Sequence, residues 1–428
     1  MGMKKKMLSA TLCAVMVGSL VAPAFTVQAA DDTLVYWSMW EATEPQGQVI
    51  QEAVDAYTEQ TGVKVDLQFK GRTGNREALQ PALDGGTQID IFDEDIDRVN
   101  GMYGKYLLDL EDLAKDNDYE ATANAGLMAA CRDAGGGTLK TIPYQPNVFA
   151  FFYNKDLFEQ AGITEEPKTW DEFKDVCQKL KDAGIQPFNY SDKDNYHFEH
   201  LMSALALKAY GTSIADDLAS DKEAYNGEKM VAIYQKMKDM IDAGYWGDGI
   251  LSTDFNTERN MFEAGKAAFT VDGTWNCGNF QNDSDTTLFD AQKIGVTRIP
   301  YIDEANKTVE MGGGSDTYYI TTLNKSDEEI AATVKFIKYL TSVDSINEMC
   351  KSSPTTYAEK VTIDTGNYLL DDVNAIMAEN TESKLEIPTY DSNTAAMDTI
   401  RNSLQALATG ASAQEVGDDI VDKMSAYE

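Results

Sequence analysis

Apolar positions in this chain switch between two spacings, and the switches mark its elements. Trp170, Phe173, Val176, Cys177 and Leu180 recur every three or four residues, which puts them on one face of a helix. Thr169 precedes that run and Glu172 follows three residues later, so a capping box starts the helix. Gly184 and Pro187 end it. Upstream, Asn154 caps a shorter helix that Gly162 stops. Nearer the start, Leu34 to Trp37 begins a strand. Val49, Ile50, Ala53, Val54 and Tyr57 face inward from a helix over Gln46 to Gln60, with Gly62 as its stop. Val63, Val65, Leu67 and Phe69 alternate as a strand, Asn75 to Leu83 is helical, and Ile89 to Phe92 is a short apolar strand. This β-α-β-α-β order implies parallel strands with helices on both faces. Further helices are expected over Lys155 to Ala161, His200 to Tyr210 and Glu228 to Ala243, and a strand over Ala267 to Val271. Ser326 with Glu329 caps another helix, whose inward face reads Ile330, Val334, Ile337 and Leu340. The remainder, to Glu428, reads as helical.

The first 30 residues form a targeting segment. Lys4, Lys5 and Lys6 are its basic start, Met7 to Val21 its apolar stretch, and Val27-Gln28-Ala29 its cleavage pattern. The mature chain is expected to begin at Ala30 or Asp31. Cys13 follows Leu12, where a lipidation signal would want a small residue, so no lipid is expected there. No later run reaches the roughly 18 apolar residues of a membrane span. An exported protein, secreted or periplasmic, is the expectation.

Charge narrows the partners. Lys and Arg number 36 against 71 Asp and Glu, a net charge of -35. Losing the three leader lysines takes it to about -38. Such acidity argues against nucleic acid and against anionic lipid. At 428 residues the chain exceeds one comfortable core, so two lobes are expected. Cys131, Cys177, Cys277 and Cys350 are too scattered for a disulfide framework, and their pairing is not legible. Cys177, on the apolar helix face, reads as a small buried hydrophobe.

Two stretches carry a family resemblance. Residues 150–187, with YNKDLFEQAGI followed by PKTWDEF, and residues 261–276, MFEAGKAAFTVDGTWN, resemble the extracellular solute-binding proteins of ABC sugar importers. That family includes maltodextrin-binding protein. GVKVDLQF with IDIF, and IGVTRIP at 294–300, resemble its strand segments. The resemblance implies a two-lobed α/β fold, each lobe a mostly parallel sheet flanked by helices, with a hinge of crossing segments. On this reading residues 1–30 are the signal peptide and 31–143 lobe one. Lobe two is 144–298, 299–347 returns to lobe one, and 348–428 lays helices on lobe two.

Candidate chemistry follows. The string Asp93-Glu94-Asp95-Ile96-Asp97 suggests calcium, but Arg98 and Gly104 stand where an EF-hand needs Gly and Glu. No metal and no cofactor are expected. The string follows a strand end, where α/β folds place ligand groups. The resemblance puts polar sugar ligands at Asp97-Arg98; a solvated acidic turn is the equal alternative. His197 and His200 lack the third ligand that zinc wants. His197 is read either as a sugar contact or as an ordinary structural histidine. Gly312-Gly313-Gly314 lacks the lysine of a P-loop; the resemblance makes it a turn that brings backbone to the sugar.

Aromatic residues carry the strongest signal. Trp37, Trp40, Tyr144, Phe149, Trp246, Trp275 and Tyr390 fall at strand ends or loops. A pyranose presents C–H groups on its faces and hydroxyls on its rim, which suit aromatic faces and planar polar groups respectively. Trp275, in the DGTW loop, resembles the family's stacking tryptophan. Trp40 is expected in the cleft, with Trp37 and Trp170 in the core. Asn147 stands where some sugar-binding relatives carry an acidic ligand. The resemblance thus implies a site of Trp40, Glu41, Arg72, Asp97, Gly313 and Asp316 with Asn147, His197, Trp275 and Tyr390. Its ligand would be a sugar, its partner a membrane permease, and the protein a monomer without catalysis. The competing classes are a hydrolase with paired carboxylates, which no motif singles out, and a ligand-sensing module of the same fold.

Overall fold

Strand β1 (Leu34–Ser38) lies between β2 (Val65–Phe69) and β3 (Ile91–Asp95) and is parallel to both, as the β-α-β-α-β order requires. The computed structural model describes residues 33–96, 102–116, 119, 125–282, 285, 287–354, 357, 361, 363–379, 382–391 and 395–426. The leader, Cys13, Asp97 and Arg98 therefore lie outside the described residues. β1 is central and mostly buried, whereas β2, at the sheet edge, keeps its side chains partly exposed.

Two long strands join the halves of the molecule. β4 (Ile142–Asn154) pairs over its first half with β7 (Val309–Ile320). Over its second half it pairs with β5 (Phe269–Gly273) and β6 (Ile294–Arg298), antiparallel to each. β7 returns to pair with β3, and the short β8 (Glu382–Lys384) lies along its start. Burial follows this traffic. Ile142 and Tyr144 belong to the first core with Tyr36, Phe92 and Tyr319. Phe149 and Phe151 belong to the second, with Phe173, Leu205 and Phe269. β4 thus leaves one core near Tyr144 and enters the other at Phe149. The other face of β4 sends Phe152 into a third, smaller cluster with Cys277, Phe280 and Cys350.

Local rules hold where the sequence states them. Asn154 accepts from the amides of Asp156 and Leu157. Both capping boxes form, Thr169 with Glu172 and Ser326 with Glu329. The helix Trp170–Asp182 buries Trp170, Phe173, Val176, Cys177 and Leu180, the face its spacing predicts. Gly62 and Gly162 take positive φ at the helix ends.

Three details differ. Helix His197–Tyr210 starts three residues earlier than its apolar run suggests, because the Asp192 carboxylate accepts from the Phe198 amide. In the helix Asp327–Leu340, Thr333 and Phe336 are buried while Ile330 and Val334 are half-buried. The larger Phe336 ring claims the centre, 4.8 Å from Tyr57 and 6.3 Å from Tyr36. Finally, Gly312 to Gly314 form no turn: they continue β7, opposite Val148, Asn147 and Pro146 of β4.

The C-terminal helices are shared among the cores. Met349, on the helix Val343–Ser352, enters the first core, and Leu369, on Tyr368–Ala378, the third cluster. The helices Ala396–Leu404 and Ala413–Ser425 pack on the second core. The thiols of Cys131, Cys177, Cys277 and Cys350 are all buried. No described helix is long and apolar enough to cross a membrane.

Candidate functional site

The first side of the site is built at the end of β1. Asp93 of β3 is fully buried and accepts from the Met39 amide at 2.7 Å and from the Tyr36 hydroxyl. Burial pushes its carboxyl up to about 7. That anchor fixes the turn carrying Trp40, whose indole donates to the Tyr144 hydroxyl at 2.7 Å. Arg72 lies over the Trp40 ring, 4.4 Å from its centroid, and pairs with Glu44 at 2.9 Å. Burial would lower the Arg72 pKa, but Glu44 and Asp95 raise it. Glu41 is exposed, with its carboxylate against Gly71, where φ is +67° and an added Cβ would fall 2.1 Å from Oε1. Arg76 pairs with Glu94 and Asp95. The visible part of the acidic string is thus structural: its charges hold Arg76, Asn75 and the β1 turn rather than a metal. Among the described residues no group of acidic, cysteine or histidine side chains is arranged for a metal ion.

The second side gathers around His197, which is 3% exposed. Its Nδ1 donates to the Ser191 carbonyl at 2.8 Å and lies 3.3 Å from Glu258. Its ring stacks on Tyr190, with centroids 5.2 Å apart. Glu258 also accepts from the Ser191 amide and hydroxyl and from Thr270. Nε2 of His197 faces Asp272 of β5 at 3.8 Å and has no hydrogen-bond partner. Asp272 in turn accepts from the indole of Trp275 at 3.2 Å. A recess beside them is lined by Ser191, Asp192, Asp194, Asn195, Tyr196 and His197.

Tyr196 links the two sides. Its ring meets His197 at 4.3 Å and His200 at 5.0 Å. Burial raises its pKa; of the charges acting on its hydroxyl, the largest are Asp272, which raises it further, and Arg72, which lowers it, ahead of Asp194 and Glu258. Arg72 and Tyr196 are both half-buried, and Tyr196 lines the recess beside His197.

The candidates read from sequence separate on this frame. Arg72, with Trp40 under its guanidinium, and His197 lie on either side of Tyr196, and Trp275 joins His197 only through Asp272. Trp40 is 3% exposed, and one ring face is already taken by Arg72. Asn147, Gly313 and Asp316 lie on the paired crossing strands β4 and β7. Tyr390 packs against both cores, and its hydroxyl accepts from the Leu385 amide under the Lys384 ammonium, away from the Trp275 cluster. His200 is structural: burial and then Arg401 push its pKa down, and its ring meets Phe149 edge-on. Sequence reasoning missed Tyr196, Glu258 and Asp272. Asp272 stands within the DGTW wording, three residues before Trp275, while nothing local marks Glu258.

The histidine charge gives a pH prediction. Burial alone would lower the His197 pKa, but Glu258 and Asp272 raise it well above its ordinary value. A histidine raised in this way contributes its full stabilisation below the unfolded pKa of about 6.5 and loses it as pH climbs through the folded pKa. Stability is therefore expected to fall above about pH 6.5, by up to roughly 1.4 kcal/mol per pH unit for one proton. Asp93, raised to about 7, adds to the same limb only up to that pH. His200, with its lowered pKa, acts below 6.5, where stability falls with acid. Urea melts across this range should show a shallower alkaline limb for His197→Gln; equal slopes contradict the assignment.

Comparison with known proteins comes to bear here. The family model described as bacterial extracellular solute-binding protein matches residues 41–345. The sn-glycerol-3-phosphate-binding periplasmic protein of Rhizobium meliloti is 23% identical over 367 residues, 80% of each chain. The galactooligosaccharide-binding protein of Bacillus subtilis is 25% identical over 322 residues, 75% of this chain and 70% of that one. Among solved structures, a chitin oligosaccharide binding protein superposes with a TM-score of 0.79 at 20% identity, over 92% of this chain and 98% of that one. At that identity the likeness carries the two-lobed fold and nothing finer.

Proposed function

Because the chain belongs to the bacterial extracellular solute-binding proteins, we propose that it captures a saccharide in the cleft at Trp275 and hands it unaltered to an ABC permease. One observation carries this reading. Trp37, Trp40, Trp170 and Trp246 are all buried in the two cores, whereas Trp275 belongs to neither and stays partly exposed, its indole tied to Asp272. A large flat apolar ring kept out of a core, beside buried charged groups, suits a ring-shaped ligand with a polar rim.

The remaining candidates take supporting roles. Arg72, Tyr196 and His197 would meet hydroxyls, with Trp40 beneath Arg72; Glu41, Asn147, Gly313, Asp316 and Tyr390 remain further candidates, and Asp97 lies outside the described residues. A phosphorylated ligand, as one relative's name states for that protein, finds less support. Arg72 and Arg76 are both held by carboxylates already. Turnover also finds little support. Glu258 and Asp272, the two carboxylates drawn to His197, are committed to protein donors. The protein would act as an exported monomer, closing as ligand bridges its lobes before it docks on the permease.

Thermal shifts with maltotriose, β-1,4-galactobiose, diacetylchitobiose and xylobiose test the reading. A ligand at 100 times its Kd adds about 2.7 kcal/mol to stability, so a cognate sugar should raise Tm visibly. Chromatography of the incubated sugar should return it unchanged. Protein-dependent conversion would sink the binding-only reading.

A further inference from the structure

We propose that Asp272 is the positioning residue for Trp275: its carboxylate holds the indole flat over Gly273, and His197 holds the carboxylate in place from the other side. The role of the platform rests on the carbohydrate reading above; the positioning itself does not.

The geometry is closed at every point but one. Asp272 is fully buried on β5, in register with Ala150 of β4. One carboxylate oxygen accepts from the indole N–H of Trp275 at 3.2 Å, and the other accepts from the Gly273 amide at 2.8 Å. That second oxygen faces Nε2 of His197 at 3.8 Å. His197 cannot turn away, because Nδ1 is bonded to the Ser191 carbonyl and its ring lies on Tyr190. Glu258 closes the far end, 3.3 Å from Nδ1. Glu258, His197, Asp272 and Trp275 therefore form one row, running from one helix through the first residue of a second helix and a strand to the partly exposed ring.

Gly273 shows how tightly the ring is seated. A Cβ built there would lie 2.1 Å from Cζ3 and 2.3 Å from Cε3 of Trp275. Only glycine lets the indole lie this close to the strand. A half-exposed tryptophan on a loop would otherwise sample several rotamers, and ordering it on binding would cost affinity. Asp272 removes that freedom before the ligand arrives. Both carboxylate oxygens receive N–H donors, so an amide at this position must turn its NH2 toward one of them. Asp272→Asn is thus not a silent change.

The test uses the mature protein, wild type and Asp272→Asn, in two arms. In the apo protein the Trp275 indole N–H is followed by NMR, its signal assigned with Trp275→Phe. The wild-type signal is expected to be protected from solvent exchange, and Asp272→Asn to remove that protection while the other indole signals stay in place. In the second arm, calorimetry with the tightest sugar of the panel should show binding weakened about 10-fold or more, the effect of losing a charge-assisted hydrogen bond. An unprotected Trp275 N–H in the wild type, or an Asp272→Asn protein with wild-type signal and affinity, overturns the inference. If no sugar binds the wild type, the carbohydrate reading fails, and the first arm still decides the positioning. Should Asp272→Asn not fold, Gly273→Ala displaces the same ring from below and is expected to lose the protection and the affinity together.

Discussion

Trp275→Ala is expected to weaken saccharide binding about 30- to 1000-fold, while the apo melting temperature barely moves. The loss corresponds to roughly 2 to 4 kcal/mol, the range for truncating an aromatic anchor. The small stability effect follows from its place. Trp275 lies outside both large cores, and its indole makes one hydrogen bond, to Asp272. A core tryptophan behaves otherwise. Trp170, buried against Phe173 at 5.0 Å, should cost about 3 to 5 kcal/mol of stability when cut to alanine. Calorimetry and thermal melting of the Trp275 variant separate the two cases. Retained affinity would remove Trp275 from the site, and a large melting drop would place it among the structural residues.

The second large effect is expected at Glu310→Ala, and it is structural. Glu310 stands on β7, where that strand passes the second core, with its side chain almost wholly buried. It accepts from Lys208 Nζ at 2.8 Å and from the Arg298 guanidinium. Lys208 is equally buried and has one other acceptor, the Lys307 carbonyl at 3.0 Å. Burial lowers the Lys208 pKa, and Glu310 opposes that shift. Removing the carboxylate strands a buried ammonium, which typically costs about 3 to 5 kcal/mol. The double variant Lys208→Met/Glu310→Leu should recover part of that loss, because no buried ammonium is then stranded and Arg298 keeps Glu379 and the Ile376 carbonyl. Urea unfolding of the single and double variants checks both statements. A single variant as stable as wild type would show that the pair adds nothing.

What could be read from the sequence was what short-range rules decide. The capping boxes at Thr169 and Ser326 and the apolar face from Trp170 to Leu180 depend on residues a few positions apart, and they formed as expected. The parallel order of β1, β2 and β3 follows from connection rules. The family resemblance was legible in the wording around residues 150–187 and 261–276, and the match over 41–345 agrees with it.

Long-range facts were not legible. That β4 pairs with one partner before Phe149 and with two others after it depends on residues more than a hundred positions away. The site shows the same limit. Trp275 could be singled out by its loop, but the row behind it comes from a strand and two separate helices: Asp272, Glu258 and His197. Trp40 could be singled out by its place after a strand, but not its neighbour: Arg72 lies over one face of its ring, because the helix that carries Arg72 starts right after Gly71. The glycine run at 312–314 looked like a turn, yet two paired strands carry it through as backbone. In each case a partner distant in sequence decides the outcome.

A crystal structure of the protein with the tightest sugar of the panel would show where the ligand sits. A pyranose ring is expected to stack on Trp275, at the roughly 3.5–4 Å of carbon–carbon contact, close to Tyr196 and His197. The indole should still be hydrogen-bonded to Asp272. A sugar bound elsewhere, or bound here with Trp275 turned away from it, would remove Trp275 from the site.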